Sequence, residues 1–163
     1  MSNKTSRTLE KQYWLLKSEP SCYSIDDFAK DKKTRWTGIR NYQARNFMRD
    51  HMHIGDEFFF YHSSADPTAI VGMGKISKSS GPDLTARDKK DDHYDPKSTP
   101  ENPIWFSPEV SFLKKFKNPL DLAFLKRESA LNGMVLLQQG SRLSVQPVSK
   151  TQFEYILKLA SGK

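Results

Sequence analysis

The chain is 163 residues long and carries 26 Lys plus Arg against 19 Asp plus Glu, a formal net charge of +7, with 12% aromatic residues and one cysteine. That length matches one domain with its own core. A lone Cys22 excludes an internal disulfide and, with no apolar run long enough for a signal peptide or a membrane span, points to a cytoplasmic protein, nuclear if the cell is eukaryotic.

Residues 1–12 are polar and read as a disordered tail ahead of a single domain over residues 13–160. Tyr13-Trp14-Leu15-Leu16-Lys17 is a short apolar run that predicts a buried strand, stopped by Ser18-Glu19-Pro20. Ser24 and Asp27 form a capping box for a short helix through Phe28, which the lysine-rich stretch 30–33 ends. The next stretch, Trp36 to Arg49, combines aromatics, amides and three arginines, and is the most site-like part of the chain. Asn41 suits a helix N-cap, and Ala44, Phe47, Met48 and His51 share one inward stripe. Arg45 and Arg49 lie on the flank, where they stay solvated or meet phosphate.

Glu57–His62 is the strongest strand pattern and predicts a central strand covered on both faces. Ala69–Ser77 follows after a short polar turn and so predicts an antiparallel partner. In it, Gly72 and Gly74 recur at period two and mark a close approach by another backbone or a flat ligand. Residues 78–102 read as a polar surface loop, and Trp105–Leu113 as a strand with Pro108 at an edge or bulge. Asn118-Pro119-Leu120-Asp121 predicts a helix start, with a helix to about Arg127. Met134–Leu137 and Arg142–Val148 are further apolar runs. Ser149 with Gln152 caps a last helix whose Phe153, Ile156, Leu157 and Ala160 face inward. Five or so short strands interleaved irregularly with helices give an α+β class, a small curled β-barrel or sheet with helices laid against it.

The basic, aromatic-rich balance suits a nucleic-acid partner, since cations neutralise phosphates and rings stack on bases. Signatures of catalysis are missing from the sequence. Gly72-Met73-Gly74-Lys75 does not meet phosphate-loop spacing, and the four histidines and Cys22 have no metal-ligand spacing. No Gly-x-Ser-x-Gly elbow occurs. The expectation is therefore no metal, no cofactor and no enzymatic activity. Glu19 and His62 are the one candidate acid/base pair, acting on a nucleotide or small molecule. Their plainer readings are an exposed turn residue and a strand-end cap.

Seven segments, in order, resemble the signatures of the EVE domain family: Tyr13-Trp14-Leu15-Leu16-Lys17-Ser18-Glu19-Pro20; Trp36-Thr37-Gly38-Ile39-Arg40-Asn41-Tyr42-Gln43-Ala44-Arg45-Asn46-Phe47; Phe60-Tyr61-His62-Ser63; Ile70-Val71-Gly72; Tyr94-Asp95-Pro96-Lys97-Ser98; Pro103-Ile104-Trp105; and Arg142-Leu143-Ser144-Val145-Gln146-Pro147-Val148. The resemblance spans Tyr13 to about Leu159. It departs mildly at Ile39, where valine is frequent, and at Asp66-Pro67-Thr68. It implies a PUA-like fold related to YTH domains and a pocket for a flipped, modified base in DNA or RNA, modified cytosine in DNA foremost. Carried over by position, the pocket comprises Lys17, Ser18, Glu19, Pro20, Trp36, Asn41, Tyr61, His62, Ser63 and Trp105, with Arg40, Arg45 and Arg142 on phosphates or base edges. A third possibility beside reader and enzyme is a module for structured RNA, indifferent to modification.

Overall fold

The computed structural model describes residues 10–140 and 142–161. Six strands form one mixed sheet: β1 (Tyr13–Ser18), β2 (Lys33–Arg35), β3 (Glu57–His62), β4 (Ala69–Pro82), β5 (Phe106–Asp121) and β6 (Val145–Val148), in the order β2-β5-β4-β3-β1-β6. Four α-helices flank it: α1 (Ile25–Asp31), α2 (Tyr42–Asn46), α3 (Leu122–Lys126) and α4 (Lys150–Ala160). The fold is α+β and PUA-like, as expected, but its curled sheet stays open. The short strands β2 and β6 are its two edges and do not pair with each other.

β1 and β3 run parallel, with Leu15 opposite Phe59, and both are covered on two sides. Such strands carry unbroken apolar runs rather than alternation, and Phe58, Phe59 and Phe60 are all fully buried. Successive side chains feed opposite layers. Trp14, Leu16, Phe58 and Phe60 join Ile25 and Phe28 of α1 and Ala44 of α2 in one core. Leu15 and Phe59 join Leu125 of α3 and Phe153, Ile156 and Ala160 of α4 in the other. Both capping boxes form: Ser24 and Asp27 bond reciprocally, as do Ser149 and Gln152. Asn41 caps α2, its Oδ1 accepting from the Ala44 amide at 2.9 Å.

Several elements differ from the sequence expectation. β2 arises where only a helix end was expected, since Lys32 turns the chain at φ 68° and Lys33–Arg35 then pair antiparallel with β5. β4 continues beyond Ser77 to Pro82 and takes the start of the expected loop with it. The helix expected from Asn118-Pro119 is instead the end of β5. Leu120 pairs with Ile70 and is buried, and α3 starts only at Leu122, capped by Asp121. Sheet pairing and burial here outweigh a local helix-start signal. Pro108 lies at a register shift between Lys78 and Gly81, as its bulge signal suggested. α2 passes into a π-turn over Phe47–His51, whose wider spacing carries His51 off the stripe to the surface while Met48 stays buried. A Cβ at Gly72 would lie 2.5 Å from the Lys114 carbonyl oxygen and 2.6 Å from Ile25 Cδ1, so the close neighbours are β5 and the core.

Residues 1–9 of the expected tail lie outside the described residues. Gln12 is tied to the domain: its amide donates to Asp56 Oδ1 at 3.0 Å. Asp56 is 1% exposed and also accepts from Trp14 Nε1 and the His53 amide. Among the described residues no helix is long and apolar enough to cross a membrane.

Two substitutions test this frame. Asp56→Ala leaves the buried Trp14 Nε1 and two part-buried amides, those of Gln12 and His53, without their acceptor and is expected to cost roughly 2–4 kcal/mol in urea unfolding. Gly72→Ala forces β4 away from β5 and is expected to cost roughly 1–3 kcal/mol in the same assay.

Candidate functional site

Because β1 and β3 are parallel neighbours, Lys17-Ser18 and Tyr61-His62-Ser63 finish side by side at one end of the sheet, where the Ser63 amide donates to the Ser18 carbonyl at 3.0 Å. Chains that leave adjacent parallel strands in different directions open a crevice at their carboxyl ends. A cleft of about 360 Å³ lies there. Trp36 and Tyr23 form its aromatic walls, Lys17 and Ser18 come from β1, Thr34 and Arg35 from β2, and Ile39 and His93 from loops.

The walls are rigid. Trp36 is 6% exposed and packs edge-on against Phe58, Phe60 and Tyr23. The Tyr23 hydroxyl donates to Asp31 Oδ2 at 2.9 Å, and burial together with that carboxylate pushes its pKa up to about 12, so it remains a neutral phenol. The Ser18 hydroxyl donates to the Tyr23 carbonyl at 2.7 Å. Burial lowers the pKa of Lys17, whose Nζ lies 5.8 Å from the Tyr61 ring centroid. Lys17 is thus a partly desolvated cation at the cleft edge.

The other expected pocket residues divide. Asn41 and Arg142 border a second cleft of about 510 Å³. Tyr61 and Ser63 border a third of about 550 Å³, with Lys17 again in its wall. The segment Gln138-Gln139-Gly140 lines both of these, and Lys17 lines the first and the third, so the three clefts adjoin one another through shared walls. Glu19 is exposed and accepts from Ser64 Oγ at 3.2 Å; neither it nor Pro20 is among the residues lining the three clefts. His62 Nε2 accepts from the Ile25 amide, the first of α1, at 3.1 Å. Burial lowers the His62 pKa, opposed by Asp26 and assisted by Lys115. No hydrogen bond joins Glu19 to His62, and His62 has the strand-end role.

Trp105 is 5% exposed and borders none of these clefts; its Nε1 donates to Asp95 Oδ2 at 2.7 Å. Arg40 turns inward. It donates to Asp83 Oδ2 at 3.1 Å, to Thr85 Oγ1 and to the His93 carbonyl. Burial raises the Asp83 pKa, but the bonds from Thr85, the Gly38 amide and Arg40 together outweigh it and hold the carboxyl below the usual range. Arg45 donates to the Ile104 carbonyl and to Asn46 Oδ1. Arg142 alone of these three lies exposed at a cleft.

Tyr23, Thr34, Arg35 and His93 line the first cleft without having been expected there. Thr34 and Arg35 directly precede Trp36, and that adjacency is the signal that could have found them, since their strand has no pattern of its own. His93 had no such signal, because only the tertiary fold lays its ring on Gly38, where a Cβ would come within 2.8 Å.

The molecule is thus an α+β domain with an open PUA-like sheet and a cleft at the ends of a parallel strand pair. It belongs to the EVE domain family, which matches residues 12–159. Thymocyte nuclear protein 1 of Homo sapiens is 40% identical over 166 residues, which cover 90% of this chain and 73% of that protein. A Pseudomonas syringae protein of known crystal structure is 50% identical, with a TM-score of 0.87 over 91% of this chain and 99% of that one. The crystal structure of human THYN1 in complex with 5-methylcytosine-containing DNA is 38% identical, with a TM-score of 0.86 over 94% and 99% of the two chains.

The His62 assignment has a pH consequence. Its folded pKa lies below 6.5, so as pH falls through that value the unfolded chain takes up a proton that the folded chain refuses, and stability declines. An NMR titration is expected to place the His62 midpoint below 6.5, and His62→Gln, which keeps an acceptor, to flatten the decline.

Proposed function

We propose that residues 13–160 act as one non-catalytic reader of a modified nucleobase, with 5-methylcytosine in DNA the leading ligand and a modified RNA base next. The base swings out of its strand into the cleft walled by Trp36 and Tyr23. That cleft carries the reading: it offers rigid rings, a hydroxyl-rich polar edge and the cations Lys17 and Arg35. These are the groups needed to stack a base, read its edge and meet adjacent phosphates. The complex of human THYN1 with 5-methylcytosine-containing DNA supports it, at 38% identity and a TM-score of 0.86.

In this reading Ser18 forms the lip and Glu19 and Pro20 follow it outside the lining, while Tyr61, Ser63, Asn41 and Arg142 border the neighbouring clefts along which the strand continues. Arg40, Arg45 and Trp105 act from behind, holding the wall. Binding rather than turnover is favoured because His62 and Glu19 are engaged separately, by the Ile25 amide and the Ser64 hydroxyl. The cellular setting that follows is wherever the modified polymer lies, cytoplasm or nucleus.

Fluorescence anisotropy with matched oligonucleotides, methylated or not at one cytosine, tests the proposal. Wild-type protein is expected to prefer the methylated strand, and Trp36→Phe, which keeps the core filled, to lose the preference while retaining salt-sensitive association. Lys17→Met is expected to weaken binding to both strands and to reduce the slope of log affinity against log salt by about 0.7 on single strands. Equal affinity of the wild type for both strands sinks the reading.

A further inference from the structure

Tyr42 occupies the first turn of α2 and is 58% exposed, an unusual setting for a large ring. One side of it is fully partnered. Its centroid lies 4.9 Å from the Trp105 ring at a 32° tilt, and the Arg45 guanidinium carbon lies 4.8 Å from the same centroid. Each backing group is itself pinned. Trp105 is fixed by its bond to Asp95 and covered by Arg40 at 5.3 Å, Arg45 by the Ile104 carbonyl, and Arg40 by buried Asp83. The guanidinium donors therefore point into the protein, and what this stack presents outward is a ring held in place.

A pre-positioned exposed ring loses little freedom when a flat ligand lies on it. Guanidinium groups behind it add cation–π contact rather than competing for phosphate. Ile39 lines the Trp36 cleft and Tyr42 is three residues further on, so their Cα atoms are at most about 11 Å apart. A stacked strand rises about 3.4 Å per nucleotide, so a base two positions from the one in the cleft, about 7 Å along the strand, lies within that span. Between them, Asn41 borders the second cleft with exposed Arg142, which has no ion pair among the described residues.

From this geometry we infer that Tyr42 is a second nucleobase platform, stacking the base of a nucleotide that flanks the one held in the Trp36 cleft. The inference takes its ligand from the base-reader proposal but concerns a separate surface. It reassigns Arg40 and Arg45 from phosphate contacts to the backing of a stack.

The test compares two probes on the full chain by calorimetry: 5-methyl-2′-deoxycytidine 5′-monophosphate, which reaches only the cleft, and a single-stranded pentanucleotide with a central 5-methylcytosine. Tyr42→Ala is expected to weaken the pentanucleotide about 5- to 150-fold. The monophosphate affinity stays unchanged, and Tyr42→Trp retains tight pentanucleotide binding. An unchanged pentanucleotide affinity in Tyr42→Ala overturns the inference. So does an equal loss for the monophosphate, which marks Tyr42 as a mere cover for Trp105, or a Tyr42→Trp variant as weak as Tyr42→Ala with an unaltered melting temperature. If wild-type protein ignores the central methyl group and Tyr42→Ala still weakens the pentanucleotide, the platform stands and the base-reading proposal fails.

Discussion

The parallel pairing of β1 with β3 is the constraint on which the rest of the molecule depends. Parallel neighbours must be joined by a long crossover, and here it contains α1, β2 and α2, which lie on or beside one face. The crossover supplies the Trp36 wall, while the end of β1 supplies Lys17 and Ser18. A hairpin at this position would have sent Ser18 and His62 to opposite ends of the sheet. The cleft is therefore a product of strand direction, and the apolar run Phe58-Phe59-Phe60 is what holds that direction between two cores.

The second organising feature is the inward use of charge. Arg40 and Asp83 join the segment after Trp36 to the segment after β4, with Thr85, the Gly38 amide and the His93 carbonyl completing the set. Asp83 is buried, and removing its partner would strand a charge where hydration is poor. This bond set fixes Ile39 and His93, two residues of the cleft rim, and through Arg40 it also braces Trp105. One cluster thereby positions both the cleft and the Tyr42 ring, which explains why the arginine-rich stretch looks like a binding surface in sequence yet spends most of its donors on the protein itself.

What the sequence made legible is what depends on local chemistry. The runs of β1 and β3, the Ser24/Asp27 and Ser149/Gln152 boxes and the Asn41 cap are each set by residues within a few positions of one another. What escaped depends on distant partners. Lys33-Thr34-Arg35 has no strand pattern because it is an edge, where charged side chains are tolerated and guard against further pairing. Asn118-Pro119 carries a helix-start signal that the register with β4 overrides. The residues named for the pocket were gathered by resemblance into one site. The fold spreads Lys17, Ser18, Trp36, Asn41, Tyr61 and Ser63 over three adjoining clefts and leaves Glu19, Pro20, His62 and Trp105 outside their linings, because the elements that carry them feed opposite layers: Trp36 lies with one core, whereas Tyr61 belongs to the other.

That division bears on how the proposed reader would select its ligand. A methyl group buries about one carbon's worth of apolar surface, roughly 0.8 kcal/mol, which amounts to only a few-fold preference. Stacking on Trp36 and Tyr23 adds affinity but treats methylated and plain cytosine alike, since every base has a π-face. Neither term alone separates the two ligands well. Discrimination then has to come from fit: a rigid wall gains contact from a methyl group that fills a gap, whereas a wall that relaxes onto the smaller base erases the difference. The packing of Trp36 against Phe58 and Phe60, with Tyr23 tethered to Asp31, supplies that rigidity, so the aromatic core behind the cleft acts on specificity as much as on stability.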